Sequence, residues 1–121
     1  MLPAADSYST LASDFRWQVP QRYNIGVDVC DRWAARERER IALTFVAADH
    51  QSCDYSYGEL REWSNRLANL LQELGIVRGD RIALLLPHAP ETAVAHIASY
   101  KLDGIAVPLF ALFGPEALQY R

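Results

Sequence analysis

Hydrophobic residues between positions 57 and 109 follow two different periods. In the first part, apolar side chains recur every three or four residues, as on one face of a helix; they are Leu60, Trp63, Leu67, Leu70, Leu71 and Leu74. At 81–86 and 105–109 they instead form short, nearly unbroken runs, which are typical of strands buried on both faces. The pattern therefore predicts one long amphipathic helix followed by two buried strands.

Local signals mark both ends of this helix. Ser56 precedes it, and Glu59 lies three residues further on, so the two side chains can satisfy each other's free backbone N–H groups in a capping box. Gly75 follows the last apolar residue and suits the left-handed position that ends many helices. We interpret the apolar face as core packing, with contact between the Trp63 face and another domain as the alternative.

A further helix is predicted between the two strands. Pro87 ends the first strand, and Pro90 suits the first position of a helix that runs to about residue 102. Ala89 replaces the polar residue preferred at the cap, which weakens the start of this helix. Strand, helix and strand over 81–109 make a right-handed βαβ unit with parallel strands.

The chain before residue 56 predicts another helix and a hairpin. Asn24 is a good N-cap residue, and apolar side chains follow it at four-residue steps, at Ile25, Val29 and Trp33. A strand at 41–46, a turn and a short returning strand at 53–55 then form a hairpin. Near the other end, Pro115 opens a third amphipathic segment.

Residues 1–23 show no sustained hydrophobic period. We expect this segment to be an extended N-terminal arm, partly anchored by Phe15 and Trp17. Residues 24–121 then form one α/β unit. Because parallel sheets have more than two strands and are covered on both faces, we interpret residues 24–121 as an incomplete part of a larger domain.

Composition narrows the class of protein. Half of the 121 residues are hydrophobic and 22% are charged, which is typical of a folded soluble domain. The net charge of −3 provides no basic field for nucleic acid. We expect no signal peptide and find no run of the roughly 20 apolar residues that a membrane span needs, and we expect a cytoplasmic protein. Cys30 and Cys53 are expected to be reduced and packed, with a disulfide as the alternative.

Few residues are candidates for catalysis or for ligand binding. His88 follows the carboxyl end of a predicted parallel strand, where α/β sheets bind ligands; a plain loop is favoured, because no acid or nucleophile lies beside it in the sequence. His50 and His96 stand apart from it without metal-ligand spacing, so no metal site is expected. The tripeptide at 78–80 spells an adhesion motif but is interpreted as a tight turn at Gly79.

Four segments of the chain contain motifs in a recognisable order. They are YNIGVDVCDRW at 23–33, YSYGEL at 55–60 with SNRLAN at 64–69, LGIVRGDRIALLLP at 74–87, and KLDGIAVPL at 101–109 running into LFGPEAL at 112–118. Together they resemble the N-terminal region of the adenylate-forming superfamily, and within it AMP-forming acyl-CoA synthetases of the acetyl- and medium-chain type. The resemblance covers residues 15–121.

The resemblance implies an α/β fold, the N-terminal part of the large domain of such an enzyme, with 24–121 as an incomplete subdomain. It also implies a chemistry. A carboxylic acid attacks the α-phosphate of ATP in the presence of Mg²⁺ to give an acyl-adenylate, and coenzyme A then displaces AMP to form the thioester. The implied partners are a carboxylic acid substrate and the remainder of the synthetase domain.

The reacting groups of that family have no match in this chain. The family's phosphate loop is rich in Ser, Thr and Gly and ends in Pro-Lys, but the single lysine here, Lys101, follows Tyr100 inside a predicted helix. The later lysine that activates the carboxylate is missing as well. We therefore predict no catalytic, cofactor-binding or metal-binding residues, and expect ATP, Mg²⁺ and coenzyme A not to bind this chain strongly.

The predicted function follows from the resemblance to the family and from the missing phosphate loop and lysine. We expect an N-terminal fragment of an acyl-CoA synthetase that is inactive by itself. One alternative is a non-catalytic structural or complementation module that binds a separately made remainder. Another is a truncated gene remnant without function.

Overall fold

The computed structural model describes residues 7–18 and 20–121. Helices and strands alternate along these residues, and a π-helical turn at Val27–Asp31 runs directly into the second α-helix. The helices are α1 (Tyr8–Asp14), α2 (Arg32–Arg36), α3 (Tyr57–Glu73), α4 (Pro90–Lys101) and α5 (Pro115–Tyr120). The strands are β1 (Ile41–Val46), β2 (Ser52–Ser56), β3 (Arg81–Leu85) and β4 (Ile105–Leu109).

The N-terminal arm differs from the prediction. Residues 8–14 form α1 rather than extended chain, because Ser7 caps the helix and accepts a hydrogen bond from the Thr10 backbone N–H at 3.2 Å. Trp17 is almost fully exposed and packs edge-to-face on Phe15, so its expected anchoring role was wrong. The rest of the predicted arm, 1–6 and 19, lies outside the described residues.

The predicted helix after Asn24 and the hairpin are confirmed. The Asn24 side chain accepts a hydrogen bond from the Val27 backbone N–H at 3.1 Å, and helical structure runs from 25 to 36. β1 and β2 pair antiparallel, and the Thr44 hydroxyl donates to Asp54 on the facing strand at 2.6 Å. The hairpin continues directly into α3.

Both predicted ends of α3 are confirmed. Ser56 accepts from the Glu59 backbone N–H at 3.2 Å, while the Glu59 carboxylate accepts from the Ser56 backbone N–H at 2.8 Å. At the other end, Gly75 has a left-handed φ of 91°, and the next backbone N–H bonds back to the Leu71 carbonyl. This pattern satisfies carbonyl groups that the end of a helix leaves free.

The buried face of α3 differs from the predicted apolar stripe. Gly58, Leu60, Ser64 and Ala68 are buried. A Cβ on Gly58 would collide with Arg38, whereas the Ser64 hydroxyl accepts a hydrogen bond from Lys101 on α4. Of the apolar stripe, Leu60 is buried and Leu67 is half-buried, while Leu70 and Leu74 are exposed. The interpretation of the whole stripe as core was therefore wrong.

The βαβ unit is confirmed, with β3 and β4 parallel and Ile82 opposite Ala106. The expectation that both strands are buried on two faces was wrong. Ile82 and Leu84 are buried under the helices, whereas Leu85 and Ile105 on the other face are 46% and 49% exposed. α3 and α4 cover one face of this two-stranded sheet, and nothing in the described part of the chain covers the other.

Two small hydrophobic clusters make up the core. One contains Cys30, Leu60, Val94 and Ile97, and the other contains Ile82, Leu84 and Ala95. α4 contributes to both clusters, which explains why it is the most deeply buried helix among the described residues. It therefore joins the hairpin half of the molecule to the βαβ half.

Candidate functional site

An open cavity of about 390 Å³ lies at the carboxyl ends of β3 and β4. Its walls are mainly apolar, with two imidazoles and one hydroxyl among them. The lining residues are Leu84, Leu86, Pro87, His88, Thr92, His96, Pro108, Leu109, Phe110, Ala111 and Phe113. The edge of a parallel sheet at which the strands end is where α/β folds bind ligands, so this cavity is the candidate site of the described chain.

Local structure fixes the walls of the cavity. The Thr92 hydroxyl donates a hydrogen bond to the Pro87 carbonyl at 2.6 Å, which ties the end of β3 to the first turn of α4. Phe110 and Phe113, in the loop after β4, pack edge-to-face with ring centroids 6.0 Å apart. The cavity is thus framed by one helix start and one aromatic loop.

The structure brings His88 and His96 to the same cavity. His88 is exposed in the loop between β3 and α4, while His96 is half-buried on α4, with its Nδ1 3.2 Å from the Tyr100 hydroxyl. Sequence reasoning considered His88 for this edge but missed His96. The available signal was the four-residue step from Thr92 to His96, which places both on one face of the helix.

The cavity offers binding surface rather than reacting groups. Its lining contains no carboxylate, lysine or thiol. Among residues 7–18 and 20–121, no group of three or more His, Cys, Asp and Glu side chains is placed to hold a metal ion. His50 lies away from the cavity, in the hairpin turn, with a left-handed φ of 62°. The arrangement can contact an apolar or aromatic group, and its polar groups are two imidazoles and one hydroxyl.

Lys101 occupies a closed polar cluster between three helical segments. Its Nζ lies 2.6 Å from the Asp31 Oδ1, and it donates to the Asn65 Oδ1 at 2.6 Å and the Ser64 hydroxyl at 2.9 Å. The side chain is only 9% exposed. The ammonium therefore has two hydrogen-bond acceptors and one ion-pair partner, all of them protein oxygens.

The backbone around Lys101 is also tightly packed. The Asn24 amide donates to the carbonyl oxygens of Tyr100 and Lys101 at 2.9 and 3.2 Å, which caps the end of α4. A Cβ added at Gly26 would lie 2.7 Å from the Lys101 Cγ. These contacts confirm that Lys101 belongs to a structural helix end.

A polar cleft of about 370 Å³ lies between the end of α2 and the hairpin. Its charged groups already have structural partners. Hydrogen bonds from the backbone and hydroxyl of Ser56 lower the pKa of Glu59, and the hydrogen bond from Arg38 lowers the pKa of Glu62 on α3. The same contact raises the pKa of the Arg38 guanidinium. The Ser56–Glu59 cap and the Arg38–Glu62 ion pair therefore stabilise this cleft, and their charged groups are not free to react.

The two cysteines occupy different environments and are both free thiols. Cys30 is fully buried, and burial raises its pKa above the usual value. Cys53 is exposed on β2, so the expectation that it is packed was wrong. Cys53 pairs with Phe45 close to the hairpin turn, two residues before Tyr55, which packs against the core.

The tripeptide at 78–80 is confirmed as a tight turn. Gly79 has a left-handed φ of 87°, and the Asp80 carboxylate accepts a hydrogen bond from the Val77 backbone N–H at 2.8 Å. These bonds set the direction in which the chain enters β3. Separately, none of the helices in the described residues is long and apolar enough to cross a membrane.

Comparisons with known proteins agree with this fold. Residues 30–121 match the family described as AMP-binding enzyme. The human mitochondrial acyl-coenzyme A synthetase ACSM3 is 29% identical over 121 residues, and the acetyl-coenzyme A synthetases of Syntrophus aciditrophicus and Escherichia coli K12 are each 35% identical over 107 residues. These matches include 95%, 88% and 88% of this chain.

A solved structure supports the same relationship. The crystal structure of a Brucella canis acyl-CoA synthetase matches 96% of this chain with a TM-score of 0.86 and 28% sequence identity. The chain spans only 23% of that structure, and between 16% and 21% of the three relatives above. It thus corresponds to about one fifth of the length of the proteins that it resembles.

Proposed function

The chain belongs to the AMP-binding enzyme family, and from this we propose that it is the N-terminal scaffold of an acyl-CoA synthetase. Such an enzyme joins a carboxylic acid to coenzyme A at the expense of ATP, and releases AMP and pyrophosphate. The first step forms an acyl-adenylate, and the second transfers the acyl group to the thiol of coenzyme A. In this proposal ATP, Mg²⁺ and coenzyme A serve the whole enzyme rather than these 121 residues.

One observation carries the proposal that this part is a scaffold. The single lysine of the chain, Lys101, has its ammonium among the oxygens of Asp31, Ser64 and Asn65 and is almost completely buried. A lysine so enclosed cannot reach a phosphate or a carboxylate of a substrate. The family's phosphate loop also has no counterpart in the sequence. Lys101 is therefore not available to stabilise the developing charge on phosphate, and we propose that this role belongs to another part of the enzyme.

The cavity at the strand ends is compatible with this role. Its apolar and aromatic lining can contact part of a bound molecule, and it contains no lysine, carboxylate or thiol. We propose that these residues shape a wall of the enzyme and leave the chemistry to the remainder. We also propose a cytoplasmic location, although one relative is mitochondrial.

The test is reconstitution of a synthetase from two chains. The 121-residue chain is expressed together with Escherichia coli acetyl-coenzyme A synthetase from which the matching segment has been deleted. We expect acetyl-CoA formation when both chains are present and none from either alone. If the two chains co-purify without activity, the scaffold assignment survives but the compatibility with an acetyl-type enzyme fails. If they do not associate, the proposal is contradicted.

A second candidate function rests on the uncovered sheet face. Leu85 and Ile105 expose about half of their surface on that face, and Leu112 follows in an exposed loop. This surface favours a non-catalytic module that binds the rest of the synthetase domain, made as a second chain. The mass of the native product, detected with an antibody to this segment, separates the two. A product of 13.7 kDa favours the module, and a product several times larger favours one continuous synthetase.

A further inference from the structure

We draw no further inference here: the strongest candidate, the open cavity at the carboxyl ends of β3 and β4 with the half-buried His96 in its wall, belongs to the site already described, and nothing in the described part of the chain shows which further ligand it would bind.

Discussion

At the scale of single residues, Glu59 forms the capping box with Ser56 that the sequence predicts. Its carboxylate accepts hydrogen bonds from the Ser56 backbone and hydroxyl, and these bonds lower its pKa below the ordinary 4.5. The folded state therefore releases the proton of Glu59 more readily than the unfolded state does. The stabilisation from this contact is fully present above the ordinary pKa and disappears as the pH falls through the lowered one.

This linkage gives a prediction for Glu59→Gln. Glutamine keeps a capping side chain but has no charge to titrate. The difference in unfolding free energy between wild type and variant should be largest near pH 6 and should shrink towards about pH 3. Urea unfolding at the two pH values measures it. An equal difference at both pH values would show that the charge of Glu59 does not contribute.

At the scale of elements, the Lys101 cluster holds three helical segments together. The π-helical turn contributes Asp31, α3 contributes Ser64 and Asn65, and α4 contributes Lys101 itself. Gly26 lets the first of these segments lie directly against α4, where any larger side chain would collide. The cluster is thus the polar counterpart of the hydrophobic core around Cys30.

Removing the lysine should be costly. Lys101→Met leaves the largely buried Asp31 carboxylate without its positive partner, and we expect a loss of about 3 kcal/mol in the free energy of unfolding. Asp31→Leu should cost a similar amount alone, and the double variant should recover part of the loss. Urea unfolding of the four proteins forms a double-mutant cycle. Strictly additive effects would contradict a direct pairing of the two side chains.

How well the elements could be predicted depended on local signals. α3 and α4 were found because cap residues, apolar period and proline positions agree at their ends. α1 was missed because seven residues with one capping serine lack any apolar period. The exposed sheet face and the exposed half of the α3 stripe were misjudged because apolar runs predict burial without revealing whether a covering element is present.

The candidate site could likewise be predicted only in part from local sequence patterns. The position of His88 after a predicted parallel strand pointed to the correct edge of the sheet. The convergence of His96, Phe110 and Phe113 on that edge depends on the packing of α4 and the course of the loop after β4, and neither is encoded in a short-range pattern. The environment of Lys101 was foreseen as structural, but its three partners come from positions 36 to 70 residues away.

At the scale of the whole molecule, the exposed apolar surfaces and the short match to longer relatives have a common explanation. The chain spans about one fifth of synthetases such as the Brucella canis enzyme. In the proposed whole enzyme, further strands and helices would cover Leu85 and Ile105 on the open sheet face. The ion pair of Asp31 and Lys101, whose side chains are 27% and 9% exposed, joins helical segments within the described part of the chain.

The central claim is that this chain provides structure to an acyl-CoA synthetase and none of its reacting groups. The most direct measurement is carboxylate-dependent exchange of pyrophosphate into ATP by the purified 121-residue chain. Its folded state is first verified by the protection of Cys30, but not Cys53, from a thiol reagent. We predict no exchange above the protein-free background with any carboxylate. Exchange that requires a carboxylate and is lost in a folded Lys101→Met variant would contradict the claim.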